Sequence, residues 1–192
     1  MARRLDRILV VDVESTCWAG EPPPGQMSEI IEIGLCVVDV VALERVERRS
    51  ILVRPACSTV SAYCTQLTTL TQADVHAGIP LAEACRVLTD EYKSRERLFA
   101  SFGDYDRQQF ERNCAAFGIP YPFGPTHLNV KSLAAIAYGW SREVGMQETT
   151  LYVSEALKRV GLPLEGTHHR GGDDAWNIAG LLCHLLRSIR GR

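Results

Sequence analysis

Two carboxylates, Asp12 and Glu14, lie inside the apolar run LVVDVESTCW at residues 9–18. Side chains alternate between the two faces of a β-strand, so Asp12 and Glu14 share one face, about 7 Å apart along the chain. An ionised carboxylate removed from water costs several kcal/mol unless a positive charge compensates it. An edge strand with one solvated face would accommodate this pair, as would a strand that ends at Glu14. The preceding run of apolar residues favours a central strand, so a solvated pair and a buried pair both stay open at this point.

A second acidic segment, FGDYDRQQFERN, covers residues 102–113. Asp106 is followed at helical spacing by Phe110 and Asn113, which places Asp106 on the side of a helix that turns toward the core. Asp104 lies just before this helix, where aspartate is a favoured N-cap. The segment therefore predicts a capping role for Asp104 and an inward-facing carboxylate at Asp106.

The third segment, THHRGGDDAWNIAGLLCHLL, covers residues 167–186. Asp174 shares its helical face with apolar residues, namely Ile178, Leu181, Leu182 and Leu185. It also lies in the first helical turn, where the helix dipole favours a carboxylate. Helix capping explains Asp173 well and Asp174 less completely. His169 precedes Asp174 across a connector predicted to be flexible, residues 170–172, and is a candidate base beside a metal ligand.

The inward-facing carboxylates Asp12, Glu14, Asp106 and Asp174 come from three distant parts of the chain. They cannot all be ionised in one place without a positive counter-charge. Oxygen ligands of this kind suit Mg²⁺ or Mn²⁺ better than zinc. Two such ions, about 3.5 to 4 Å apart, stabilise both the attacking and the leaving oxygen of a phosphoryl displacement. A neutral His169 would deprotonate the attacking water, so the set predicts a phosphodiesterase.

The elements that must position these residues follow from hydrophobic periodicity. Apolar runs predict strands at residues 8–13, 30–40, 46–54, 97–102 and 127–130. The second and third of these strands are joined by a short connector, which is typical of a hairpin. Helical spacing predicts helices at residues 81–94, 106–118, 131–139, 149–160 and 173–188. The order of strands and helices indicates an α/β protein with a five-stranded mixed sheet flanked by helices.

Composition is consistent with a globular enzyme. The chain has 192 residues, of which 46% are hydrophobic and 23% charged, which predicts one domain over residues 1–192 with its core at about 8–188. No apolar run is long enough for a membrane span or a signal peptide, so a soluble protein is expected, with no membrane partner. Seven cysteines without a CxxC pair favour a reducing compartment, and we expect a cytoplasmic location. A net charge of −2 argues against non-specific electrostatic binding along nucleic acid, but not against binding to the end of a strand.

The order Asp12-Val13-Glu14, then Asp106, then His169 five residues before Asp174, resembles the DEDDh group of DnaQ-like 3′–5′ exonucleases. Within that group the chain is most similar to the Eri/histone-mRNA exonuclease branch and its bacterial KapD-like relatives. Further stretches that carry the resemblance are SEIIEIG, LTTLTQADV and HHRGGDDAWNIA. They run in the family's order from about residue 8 to residue 186, which is nearly the whole chain.

The resemblance implies an RNase H-like fold and two Mg²⁺ or Mn²⁺ ions. It also implies stepwise release of nucleoside 5′-monophosphates from a single-stranded 3′ end, with RNA favoured over DNA. Carried over position by position, Asp12, Glu14, Asp106 and Asp174 match the metal ligands, and His169 matches the general base. Animal members of this branch carry an appended nucleic-acid-binding domain, which we do not expect in this chain. Targeting is therefore expected to come from the catalytic domain or from a protein partner, or not to exist.

Substrate contacts are expected just past the first strand and in the LTTLT segment. The candidate residues are Ser15, Thr16, Cys17, Trp18 and Leu67. Trp18 would stack on a terminal base, an interaction worth roughly 1 to 3 kcal/mol, or would pack on the domain as a loop aromatic. Thr69 stands where the family usually has glycine, next to the expected position of the terminal nucleotide.

Two other function classes compete with an exonuclease. A catalytically silent RNA- or protein-binding module would keep the fold, but such modules typically lose one or more of the five catalytic positions, which are all filled in this chain. A non-haem iron oxygenase needs two histidines and a carboxylate, usually with a close His-x-Asp/Glu pair. The five histidines of this chain offer no such pair.

Overall fold

The computed structural model describes residues 4–140 and 151–191, which form one mixed sheet with helices on both faces. The strands are β1 Arg4–Ser15, β2 Ile30–Asp39, β3 Glu44–Arg54, β4 Ile79–Pro80, β5 Arg97–Ser101 and β6 His127–Asn129. Their order across the sheet is β4-β3-β2-β1-β5-β6. Strand β1 is therefore central, in agreement with its apolar run.

The pairing of the strands confirms the predicted mixed sheet and hairpin. Strands β1, β2 and β3 pair antiparallel, whereas β5 pairs parallel with β1 and with β6. The predicted count of five strands was one too low, because β4 adds a sixth. Strand β4 is only two residues long and pairs with Val53 and Arg54 of β3. Two residues are too few to show any hydrophobic period, which is why the sequence did not reveal this strand.

The helices are α1 Ala62–Thr68, α2 Gln72–His76, α3 Leu81–Asp90, α4 Tyr105–Ala116, α5 Val130–Ala137, α6 Val153–Arg159 and α7 Gly171–Ile189. Helices α1 and α2 were not predicted, because each is too short for a clear periodic pattern. Their ends are set by local polar groups: Ser61 caps α1, and Thr71 with Asp74 forms a capping box at α2. The predicted helix at 149–160 begins outside the described residues, and its described part is α6.

The two faces of β1 belong to two different apolar layers. Leu9 and Val11 pack in the layer that includes residues of α3 and α4. Ile8 and Val10 pack in the layer formed with α5, α6 and α7. Because side chains alternate along the strand, Asp12 and Glu14 lie on the same face of β1 as Ile8 and Val10. The acidic end of β1 therefore faces α7.

Helix α7 begins directly on the backbone of β1 and β2. Gly171 and Gly172 are buried in its first turn, so the predicted flexible connector at 170–172 is in fact mostly helix. A Cβ at Gly171 would meet the backbone nitrogen of Gly34 at 2.9 Å and the backbone oxygen of Asp12 at 3.1 Å. Glycine is required here because no side chain fits between the helix and the sheet.

None of the described helices is both long enough and apolar enough to cross a membrane.

Candidate active site

The end of β1 presents both of its carboxylates to one side of the sheet. Glu14 is buried and Asp12 is half-buried. Asp12 lies opposite Gly34 of β2, and Glu14 lies opposite Glu32. The register of β1 against β2 shifts between Glu14 and Ser15, which pairs with Ile30, as at a β-bulge. This irregular end of β1, residues 12–15, lines the cavity of the site.

Helix α4 brings Asp106 to the same strand end. The Asp106 side chain is buried, and its Oδ1 accepts a hydrogen bond from the backbone N–H of Val13 at 2.9 Å. This bond joins residues 93 positions apart and holds the carboxylate between the two acids of β1. Asp104 occupies the N-cap position as predicted but makes no capping hydrogen bond; its carboxylate instead contacts Arg107 at 3.3 Å.

Helix α7 contributes Asp174, whose carboxylate is fixed by the residues just before the helix. Asp174 Oδ2 accepts a hydrogen bond from the backbone N–H of His169 at 2.7 Å, and Oδ1 lies 3.1 Å from Nδ1 of His168. The backbone of His169 is left-handed, with φ of 62°. This turn brings both imidazole rings beside the carboxylate, where they stack with centroids 4.0 Å apart.

The carboxylates of Asp12, Glu14 and Asp174 form a compact oxygen cluster. One ligand oxygen from each lies within 4.8 Å of the other two. Asp106 lines the same cavity, which has a volume of about 470 Å³. A set of carboxylate oxygens from four side chains fits a hard divalent cation rather than a soft one. The residues present therefore fit a divalent cation that prefers oxygen ligands.

The electrostatics of the cluster are dominated by the close approach of several buried acids. Burial, reinforced by Asp106, Glu14 and Asp174, raises the pKa of Asp12 well above its usual range. Burial, with Asp174 and Glu32 as neighbours, raises the pKa of Glu14 to about 8. Burial also raises the pKa of Asp106 to about 6, although its hydrogen bond from Val13 opposes the change. A bound divalent cation would favour the ionised forms and remove this penalty.

Glu32 and Arg170 form the outer support of the site. The Glu32 side chain is almost fully buried beside Glu14, and it accepts hydrogen bonds from Arg170 Nε at 3.2 Å and from the Gly171 backbone N–H at 3.1 Å. Ser50 also donates to Glu32. The guanidinium group neutralises Glu32, and the two bonds anchor the start of α7 to β2. Sequence reasoning missed this pair because its two members are 138 positions apart.

The structure separates the five residues expected to contact substrate. Ser15, Cys17 and Leu67 line the cavity that contains the carboxylates. Thr16 and Trp18 do not line it. Thr16 is fully buried and binds the chain that leads into β2: its Oγ1 donates to the Met27 carbonyl at 3.2 Å and accepts from the Glu29 N–H at 2.9 Å.

Other residues lining the cavity were not singled out from the sequence. They are Val13, Phe102, Tyr105, Lys131, Leu151, Tyr152, Val153 and His168. Tyr105 directly precedes Asp106, and His168 directly precedes His169, so adjacency to a candidate residue was the available signal for both. Lys131 and Tyr152 carry no such signal, because their place at the cavity depends on how α5 and α6 pack.

Comparison with known proteins identifies the family. The Exonuclease family (RNase_T) matches residues 9–182 of this chain. The 3′-5′ exonuclease Snipper of Drosophila melanogaster is 28% identical over 94% of this chain and 69% of its own length. The human 3′-5′ exoribonuclease 1 is 28% identical over 95% of this chain, which spans only 53% of that protein.

A solved structure shows the same fold. The nuclease domain of 3′hExo, a DEDDh family member bound to rAMP, superposes with a TM-score of 0.80 at 24% identity, covering 98% of this chain and 95% of that domain. The RNase H-like fold predicted from the sequence is thereby confirmed. With the family match over residues 9–182 and the carboxylate cluster at the end of β1, the chain belongs to the RNase_T exonuclease family, with relatives named 3′-5′ exonucleases.

Proposed function

We propose that this protein is a divalent-metal-dependent 3′–5′ exonuclease that removes nucleoside 5′-monophosphates from single-stranded 3′ ends, with RNA preferred over DNA. The observation that carries the proposal is the meeting of Asp12, Glu14, Asp106 and Asp174, from three distant segments, in one cavity beside His169. The family match supports the reaction class.

In the proposed mechanism, Asp12, Glu14, Asp106 and Asp174 would hold two Mg²⁺ or Mn²⁺ ions. When bound, these ions supply Lewis-acid stabilisation of the attacking and leaving oxygens. The chain itself supplies the proton acceptor, His169, at the cavity edge. Burial and the neighbouring His168 lower the pKa of His169, so its imidazole is neutral and able to accept a proton from water.

The remaining cavity residues would receive the terminal nucleotide. Cys17 and Leu67 offer apolar surface, and the Tyr105 ring, which is 52% exposed, offers a face on which a base can stack. Lys131 lines the same cavity and supplies a cation for a backbone phosphate. These groups together would bind a strand end rather than a long duplex, in keeping with the net charge of −2.

The preference for RNA is supported by the relatives. The human relative is named an exoribonuclease, and the nuclease domain with TM-score 0.80 was solved with rAMP bound. Matched single-stranded RNA and DNA oligonucleotides of one sequence would measure this preference directly. We expect faster shortening of the RNA; equal rates would remove the RNA preference but leave the exonuclease proposal intact.

The proposal is tested by incubating 5′-labelled single-stranded RNA with the protein and Mg²⁺ or Mn²⁺. We expect a ladder of shortened products that EDTA abolishes. Loss of a group that only supports a metal ligand typically costs 10- to 100-fold, so Asp12→Asn should lower kcat by about 100-fold or more. Asp90→Asn, which changes an exposed aspartate on α3, is the matched control and should keep full activity.

Two outcomes would contradict the proposal. One is the absence of shortening with either ion. The other is activity that survives Asp12→Asn, which would indicate a contaminating nuclease. If calorimetry also showed no Mn²⁺ binding, a catalytically silent binding module would become the better interpretation.

A further inference from the structure

A group of potential metal ligands different from the oxygen cluster lies at the start of α7. His168, His169 and Asp174 each offer one ligand atom, and these atoms lie within 4.8 Å of one another. His168 matches none of the five positions of the DEDDh pattern, and in the proposed reaction it acts only through its effect on the pKa of His169. Its imidazole nevertheless lies against the buried carboxylate of Asp174, and this placement calls for a chemical explanation.

The geometry of the three side chains comes from the backbone turn before α7. Consecutive side chains of an extended chain point to opposite sides, but the left-handed conformation of His169 places both imidazoles on one side. His168 Nδ1 is 3.1 Å from Asp174 Oδ1, and the two rings stack at 4.0 Å. The Asp174 side chain is only 5% exposed, whereas that of His168 is 39% exposed. The His168 side chain is therefore accessible to an ion from solvent.

The donor set differs in kind from the neighbouring cluster. Two imidazole nitrogens and one carboxylate oxygen suit Zn²⁺ and similar borderline ions, whereas Mg²⁺ prefers oxygen alone. Ligands about 2.0 to 2.1 Å from a tetrahedral zinc ion lie about 3.3 Å from each other. The observed 3.1 Å between His168 and Asp174 is close to that spacing. A simple hydrogen bond would give a similar distance, so an experiment must separate the two.

We propose that His168, His169 and Asp174 form a binding site for Zn²⁺ or a chemically similar transition-metal ion. An ion held there would occupy the candidate base and one carboxylate of the oxygen cluster at the same time. Zinc would therefore inhibit the reaction, a consequence that rests on the proposed function. The binding site itself does not depend on that function.

The test is calorimetric titration of Zn²⁺ into the full chain, first stripped with EDTA and then held in excess Mg²⁺ without nucleic acid. We compare the wild type with His168→Asn, in which the amide nitrogen takes the place of Nδ1 and keeps a hydrogen-bond donor but not the metal-binding lone pair. We expect Zn²⁺ affinity to fall at least about tenfold, as for loss of a supporting group at other metal sites. His76→Asn, which changes an exposed histidine on α2, should leave the affinity unchanged.

Three results would overturn the site. Zn²⁺ affinity could be equal in the wild type and His168→Asn, it could fall equally in His76→Asn, or it could be lost in Glu14→Gln but kept in His168→Asn. The last result would place zinc in the oxygen cluster. Thermal unfolding of each variant without metal shows whether the fold is intact.

Inhibition of RNA shortening by Zn²⁺ is measured separately, as a fraction of each variant's own rate in Mg²⁺. We expect the inhibitory concentration to rise at least about tenfold in His168→Asn, in parallel with the binding constant. If the protein binds zinc through His168 but shortens no RNA, the proposed function fails while the zinc site stands. If the protein shortens RNA but binds no zinc, the zinc site fails while the proposed function stands.

Discussion

At the scale of single residues, the candidate site depends on acids that would be unfavourable without a cation. Glu14 is buried against Asp174 and Glu32, and its pKa is raised to about 8. Among the described residues, Arg170 forms an ion pair with Glu32, whereas the basic group beside Asp174 is the imidazole of His168. The site is therefore built to attract positive charge, because each added cation restores the ionised form of its neighbours.

His169 is the residue whose protonation should govern the rate at low pH. Its pKa is lowered by burial and by His168, and Asp174 opposes this change only in part. Because the lowered pKa extends the neutral form below the usual value of about 6.5, we expect kcat/KM to stay high down to that pH and to fall only below it. In His169→Asn, kcat should fall by about 10²- to 10⁴-fold.

Rate profiles of the wild type and His169→Asn between pH 5 and 9 would check this prediction. The acidic fall should disappear in the variant if His169 is the base. A variant that is slower but keeps the same acidic fall would assign the titration to another group. The Asp90→Asn protein serves as the control for both profiles.

At the scale of elements, the geometry of the site depends on the close packing of α7 against β2. Gly34 of β2 pairs with Asp12 of β1, and the start of α7 packs on the face of the sheet that both residues present. Glu32, two residues earlier on the same face, holds Arg170 and the Gly171 N–H. The strand therefore positions α7, and α7 in turn carries Asp174.

Gly34→Ala should separate these elements. A Cβ at this position would lie 1.8 Å from backbone atoms of Gly171, which cannot move without shifting the whole helix start. We expect the free energy of unfolding to fall by about 3 kcal/mol or more, the upper range for overpacking, and Mn²⁺ affinity to fall with it. Denaturant unfolding and calorimetry measure the two effects.

Gly20→Ala is the matched control, because a Cβ there meets nothing within 4 Å. It should leave the free energy of unfolding within about 0.5 kcal/mol of the wild type. If Gly34→Ala were equally harmless, the close contact between β2 and α7 would not position Asp174.

At the scale of the whole molecule, the acidic cluster couples folding to pH and to metal. An acid whose pKa is raised in the folded state binds its proton more tightly there than in the unfolded chain. Its contribution to stability is fully present below the unfolded value, about 4.5 for Glu14, and is lost as the pH rises through the folded value of about 8. Asp106 acts in the same direction up to about 6.

In EDTA, the melting temperature should therefore fall as the pH rises from 5 to 8.5. Glu14→Gln, which cannot ionise, should show a smaller fall and a higher melting temperature than the wild type at pH 8. Mn²⁺ at 100 times its Kd for the wild type should raise the free energy of unfolding of the wild type by about 2.7 kcal/mol. The same Mn²⁺ concentration should raise that of Glu14→Gln by less, because the variant binds the ion more weakly. A wild-type protein that grows more stable with rising pH in EDTA would contradict the proposed charge imbalance.

The sequence by itself determined the fold class, the long strands and helices, and the inward face of each candidate acid. These are local properties, because periodicity and helix-start signals are read within about 15 residues. The alternation of β1 placed Asp12 and Glu14 together, and the helical faces turned Asp106 and Asp174 inward. The family match over residues 9–182 agrees with the resemblance that those residues carried.

Only the tertiary structure decided which further groups contact the candidate acids and which expected residues lie away from them. The bond from Val13 to Asp106, the pairing of Glu32 with Arg170, and the separation of Thr16 and Trp18 from the cavity all depend on contacts between distant segments. The close fit of Gly171 on Gly34 and the turn that brings His168 to Asp174 depend on them as well. Such contacts form when whole elements pack, and no local pattern in the sequence records their distances.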